Sequence, residues 1–261
     1  MSSSRISASS YSNTAPLIWS FLYGRSRGTV EVILDTAPAR SAELLAGDRV
    51  DAALVPVIAY QMIEGVRLVP DVCVGARERV RSVCLVTAGM DLDQVETVSL
   101  DISSRTSVVL TKIIFHEFLG RSPEWRDAKP NLDEMLAGSD CALLIGDPAL
   151  SIDEKKYRKF DLVETWRGFT GLGFVFAMWM TRRGKVEIDL AAARDEGLQH
   201  LHDIAANYAS EIRLSRDELK TYLSENISFS VHEDMLKGME LYFDLAQKNG
   251  LIQGIKPLEF C

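Results

Sequence analysis

The chain has 261 residues, too many for one small core and suited to two lobes of ~100–150 residues each. Hydrophobic residues make up 47% of it, enough for both lobes to bury a core. A net charge of -8 at pH 7 argues against a nucleic-acid partner, which needs a basic face, but not against an anionic small molecule, because local dipoles decide binding in a cleft.

Met1 to Arg5 lead straight into a strand pattern without the apolar region of a secretory signal. No apolar run reaches the ~18–20 residues of a membrane span; Phe174 to Met180 is strand-sized. The expectation is a cytoplasmic protein with no membrane partner. Cys73, Cys84, Cys141 and Cys261 form no CxxC, and three lie in apolar strand-like runs, which suits reduced core residues.

Strand and helix patterns alternate along the chain, so the predicted fold is α/β with mainly parallel sheets flanked by helices. Arg5 to Ser10 reads as the first strand, and Pro16 sits in the first turn of a helix to Tyr23. Thr29 to Leu34 is a strand, Ala39 to Ala46 a helix stopped by Gly47, and Ala52 to Val55 a wholly apolar strand. Pro56 opens a short helix to Met62, and Val69 to Ala76 and Val80 to Thr87 are extended. A second lobe begins near Val95 with a strand at Val98 to Leu100 and a helix from Thr106 to Leu119. Leu132 to Ala137 is helical, Cys141 to Ile145 is a strand ending in Gly146-Asp147-Pro148, and Asp161 to Val163 is a short strand. Phe174 to Met180 carries the chain back, and the tail is helical, with Ser215…Glu218 and Ser230…Glu233 spaced as capping boxes. The expected lobes are residues 1–90 plus 180–261, and 91–179.

Two stretches share one design: a strand runs into hydroxyl-rich residues and then a helix. They are Ile6 to Pro16 and Val98 to Leu110. Free N–H groups and the positive dipole end at such a helix start favour an anion. The expectation is that the two stretches face each other across a cleft around one small acidic molecule. Ligands of open α/β sheets sit beyond the carboxyl ends of the strands, where Ser9 to Thr14, Pro56, Ser103 to Ser107 and Gly146-Asp147 fall.

No GxSxG elbow, P-loop or HExxH is present. His200 and His202 stand two apart in a helical stretch and point to different faces, so no metal site is expected. Gly168, Gly171 and Gly173 do not match the dinucleotide fingerprint, so no organic cofactor is expected.

Six segments in order resemble one family: Ser10 to Leu17, Asp51 to Ile58, Val80 to Val83, Leu100 to Ser107, Leu143 to Asp147 and Thr170 to Ala177. Together they are similar to the chorismate dehydratases of the futalosine route to menaquinone, over roughly residues 5 to 180. The resemblance implies a two-lobed fold like the type II periplasmic binding proteins, with the ligand between lobes. It implies loss of water from chorismate to give 3-[(1-carboxyvinyl)oxy]benzoate, without metal or organic cofactor, the substrate's enolpyruvyl carboxylate taking the ring proton. It also implies that Asn13 and Ser82 are the polar groups tied to catalysis. Two positions depart from the family pattern: Ser12, where Leu is common, and Gly173, where Pro is common and glycine is expected to loosen the inter-lobe return.

The substrate-binding residues expected are Ser10, Tyr11, Pro56, Ser103, Ser104, Arg105, Thr106, Ser107, Gly146 and Asp147. Structural roles stand beside these. Asn13 or Thr14 suits an N-cap, Ser82 a satisfied core hydroxyl, Arg105 an ion pair with a carboxylate such as Asp101, and Asp147 an Asx-turn. Two rivals remain at this stage: a non-catalytic sensor of the same fold, and the related 1,4-dihydroxy-6-naphthoate synthase.

Overall fold

A computed structural model describes residues 4–35 and 38–261. The leader reading at Met1 to Ser3 lies outside the described residues.

The chain builds two five-stranded sheets and crosses between them twice. The first lobe starts with β1 (Ser4–Ser9), α1 (Ala15–Leu22), β2 (Val30–Asp35), α2 (Pro38–Ala46), β3 (Ala52–Pro56), α3 (Ala59–Met62) and β4 (Arg67–Ala76). The second holds β5 (Val83–Thr87), β6 (Thr97–Asp101), α4 (Thr106–Ile113, prolonged by a π turn to Phe118), β7 (Glu124–Ala128) and α5 (Leu132–Gly138). It continues with β8 (Cys141–Ile145), α6 (Asp147–Leu150), β9 (Arg158–Asp161) and α7 (Leu162–Thr170). Strand β10 (Phe174–Thr181) returns to the first sheet, and α8 (Leu190–Gln199), α9 (Leu201–Ile212), α10 (Arg216–Thr221, with a π turn to Asn226) and α11 (Glu233–Lys248) close the chain.

The strand orders are β2-β1-β3-β10-β4 and β7-β6-β8-β5-β9. Each sheet is mixed, with four of its five strands running one way, as expected of a mainly parallel sheet. The strand that enters from the other lobe, β10 or β5, runs antiparallel to both neighbours. The physical reason is direction of entry: a strand arriving from the cleft must run away from it, while β1, β3, β6 and β8 end at it. The expected lobe boundary moves accordingly. β5 pairs with β8 and β9, so the first crossing is at 77–82, not near 90, and the second at 171–173, before β10 rather than after it.

Four local expectations change. Pro56 closes β3 and pairs with Ala177, and the helix starts at Ala59. Asp161 ends β9 and caps α7 by accepting the amides of Val163 and Glu164, so Leu162 and Val163 are helical. The Ser215 capping box forms, but α11 has His232 at its N-cap, and the Ser230 hydroxyl instead accepts from Arg194. Gly173 does not loosen the return: a β-carbon there would stand 2.8 Å from Met235 Cγ, and one on Gly238 would stand 2.1 Å from the Gly173 carbonyl oxygen. Helix α11 thus lies directly on the crossing segment.

The core runs continuously through both lobes, with Trp166, Trp179, Tyr60, Tyr222 and Tyr242 among its largest fully buried side chains. Cys73, Cys84 and Cys141 are buried, and all four cysteines are free thiols. Among the described residues, no helix is long and apolar enough to cross a membrane.

Candidate active site

A partly open cavity lies between the sheets. Its floor is apolar, with Leu54, Val74, Val83 and Phe176 at strand ends. Its polar wall comes from two turns, β1 to α1 and β6 to α4.

In the first turn, Asn13 faces the cavity and Thr14 is the N-cap of α1, but the Thr14 side chain caps nothing. Its hydroxyl pairs instead with Ser9 Oγ at 2.8 Å. Ser12 reaches across to the other lobe: its hydroxyl and amide both donate to the Asp147 carboxylate, at 2.5 and 3.1 Å. Burial pushes the Asp147 carboxyl above its usual range, and the Ser12 hydrogen bonds partly offset this.

In the second turn, Asp101 is buried and accepts from the Ser103 amide at 2.9 Å and the Ser103 hydroxyl at 2.6 Å. Burial pushes the Tyr11 phenol up, and the neighbouring Ser103 partly offsets this. Ser104 Oγ accepts the Ser107 amide, and Thr106 Oγ1 accepts the Ile58 amide from the other lobe. The amides of Arg105 and Thr106 have no partner among the described residues. They sit at the start of α4, where orphan N–H groups carry partial positive charge. The Arg105 guanidinium lines the same wall and lies 3.5 Å from Glu43 of the opposite lobe.

Ser82 occupies the first crossing. Its amide donates to the Val80 carbonyl at 2.7 Å around Arg81, whose φ is +61°. A three-residue turn of this hand is rare and strained in an L-residue. The buried Asp161 carboxylate holds it by accepting the amides of Val80 and Arg81 while also capping α7. The Ser82 carbonyl accepts from the Gly146 amide at 2.7 Å. Its side chain is fully buried, and Tyr222 Oη donates to it at 2.7 Å. Burial pushes the Tyr222 phenol up, and Ser82 and Asn13 partly offset this. Gly146 is required twice over: its φ is +66°, and a β-carbon would stand 2.9 Å from the Tyr11 ring.

Of the residues expected from sequence, Tyr11, Asn13, Pro56, Ser104, Arg105, Thr106, Ser107 and Gly146 line the cavity. Four are placed otherwise. Ser10 lies on a separate groove beside α1 and α9, with its amide bonded to the Asp35 carbonyl. Ser103 stands behind Tyr11, engaged by Asp101. Asp147 is taken by Ser12. Ser82 sits behind the wall made by Val80, Val83 and Gly146. Arg105 pairs with Glu43, not with Asp101. Tyr222 and Asp161 are new. The spacing of Asp161 and Glu164 is an N-cap signal that could have revealed the second, whereas nothing local marks the first.

Two lobes around a cleft fed by strand carboxyl ends define a fold of the periplasmic-binding-protein type. Solved structures agree. The periplasmic aliphatic sulphonate binding protein of Escherichia coli superposes with a TM-score of 0.66 at 14% identity, covering 99% of this chain and 93% of its own. A Candida albicans protein described as exhibiting the generic periplasmic binding protein fold gives 0.70 at 13%, with 98% and 92% covered. Sequence goes further. The menaquinone biosynthesis family model matches residues 4–248, and the chain belongs to that family. A chorismate dehydratase of Thermus thermophilus is 31% identical over 233 residues, covering 80% of this chain and 84% of that protein.

Proposed function

We propose that the chain is a chorismate dehydratase of menaquinone biosynthesis, converting chorismate to 3-[(1-carboxyvinyl)oxy]benzoate and water. The observation that carries this is the 31% identity over 80% of the chain to a protein of that activity, within a family of that pathway. The alternatives, a sensor without chemistry or the naphthoate-forming enzyme, have no comparable support.

The cavity supplies what this reaction needs from a protein. Loss of the ring proton to the substrate's own enolpyruvyl carboxylate, with departure of the ring hydroxyl as water, leaves an aromatic ring, so the product supplies the driving force. What remains is orientation. We assign one substrate carboxylate to the Arg105 and Thr106 amides and the Arg105 guanidinium, where charge and geometry both favour an anion. Asn13, on the facing turn, meets the reacting part of the ring. Ser82 stands behind it as support. The apolar floor excludes water beneath the ring.

All four cysteines are free, which suits a reducing compartment, and we assign the reaction to the cytoplasm.

Purified protein incubated with chorismate is expected to produce a new aromatic absorbance and a product lighter by one water. Recovery of unchanged chorismate, with binding seen by calorimetry, would make the protein a sensor instead.

A further inference from the structure

Thr106 is the first residue of α4 and lines the cavity. Its hydroxyl oxygen accepts the Ile58 amide of the first lobe at 3.3 Å. Its carbonyl accepts from Tyr242 Oη at 3.0 Å. That carbonyl and the Ser107 amide are the two ends of one planar peptide group, and the Ser107 amide donates to Ser104 Oγ at 3.2 Å. The plane is gripped at both ends. Tyr242 comes from α11, 136 positions further along the chain. It is fully buried, so no water competes for its proton, and its ring stands edge-on to Phe174 with centroids 5.1 Å apart. Phe174 opens β10 just past the second crossing and packs in turn on Phe176 of the cavity floor at 4.8 Å. The phenol is thereby aimed at the Thr106 carbonyl, which has a second lone pair for it beside its helix partner.

We propose that Tyr242 is a positioning residue for carboxylate binding. With its side chain tied to Ile58 and its carbonyl tied to Tyr242, Thr106 cannot turn about its own α-carbon. The free amides of Arg105 and Thr106 therefore keep one direction, into the cavity. Ser104 gains from the same arrangement. Its oxygen already accepts the Ser107 amide, which leaves its hydroxyl proton to be given to a ligand in the cavity that it lines. Donors fixed in advance spend no binding energy on being ordered. The effect falls on holding the acid, because neither tie touches Asn13 on the facing turn. This rests on the assignment of a substrate carboxylate to the α4 turn, but not on which acid carries it.

The test compares a charged probe with a neutral one of the same shape. Benzoate and benzamide are titrated into the parent and its variants while the Arg105 and Thr106 backbone amides are followed in nitrogen-15 spectra. In the parent, benzoate is expected to move both amides at concentrations where benzamide moves neither. In Y242F the preference for benzoate is expected to fall roughly fivefold, and KM for chorismate to rise by a similar factor with kcat within about twofold. T106V removes the Ile58 tie instead and is expected to show the same pattern, so it carries the test if Y242F does not fold. A melting temperature lowered in Y242F with the benzoate preference intact would make the phenol merely structural and overturn the proposal. So would a loss confined to kcat, or parental amides that benzoate leaves unmoved. If the parent leaves chorismate untouched while the benzoate preference depends on Tyr242, the chorismate reading fails and the positioning role stands.

Discussion

The two turns that wall the cavity look alike in sequence and differ in what they have left to offer. In the β1 to α1 turn, most of the backbone is engaged. The amides of Ser10, Ser12, Thr14, Ala15 and Leu17 have partners, and Pro16 has no amide proton. What remains, among the described residues, is the amides of Tyr11 and Asn13 with the Asn13 side chain beside them. In the β6 to α4 turn most of the hydroxyls are engaged: Ser103 on Asp101, Ser104 on Ser107, Thr106 on Ile58. What remains is the amides of Arg105 and Thr106, with the Arg105 guanidinium and the Ser107 hydroxyl beside them. A shared strand–hydroxyl–helix design thus yields one turn with a guanidinium beside its free amides and one with an amide side chain beside them. Hydroxyls in a tight turn bond each other or the backbone before they reach a ligand.

If this division is right, removing the Asn13 side chain from the first turn should cost chemistry, not binding. Asn13→Ala is expected to lower kcat by about 10²–10³-fold, as removal of a well-placed transition-state partner does, with KM and melting temperature near parental values. A loss confined to KM would erase the distinction between the turns. The contact that sets the turns face to face is sharper still to test. Gly146→Ala is expected to destabilise by about 2–3 kcal/mol in urea titrations, from its positive φ and the Tyr11 ring against it. Arg105→Ala belongs to the holding turn: KM should rise roughly tenfold with kcat within about threefold, a surface-assisted anion contact rather than a buried one. A kcat effect as large as that of Asn13→Ala would move chemistry to the wrong side of the cavity.

How far the sequence could lead follows from the same contrast. Apolar strands such as Ala52 to Pro56 and Cys141 to Ile145 are buried throughout and declare themselves. Strand β7, Glu-Trp-Arg-Asp-Ala, is an exposed sheet edge with no apolar alternation, and it was not legible. The directions of β5 and β10 depend on which lobe each enters from, and local pattern cannot encode that. Eight of the residues singled out from the motifs line the cavity, because a motif at a strand end keeps its place. Ser82 is bonded instead by a tyrosine in the tail, and only folding makes them neighbours.

The smallest expected effect concerns the tie between the turns, from Ser12 to Asp147. Burial raises the Asp147 carboxyl above its unfolded value near ~3.9, and the Ser12 hydrogen bonds do not fully reverse this. A carboxyl with a raised folded pKa binds its proton more tightly when folded. Its contribution to stability is therefore fully present below the unfolded pKa and is lost as pH rises through the folded one. Asp101 and Asp161 are raised for the same reason, while Glu117 and Asp140 are lowered by their hydrogen bonds and act in the opposite sense. All four are common to the parent and to Asp147→Asn, so they cancel in the difference between the two. That difference isolates Asp147. The parent should lose stability relative to the variant as pH rises from ~3.5 to ~7, measured by urea denaturation at each step. A difference independent of pH would mean that this carboxyl titrates as if exposed. The first turn would then be free of the second lobe, and the two walls would face each other without the tie that sets their spacing.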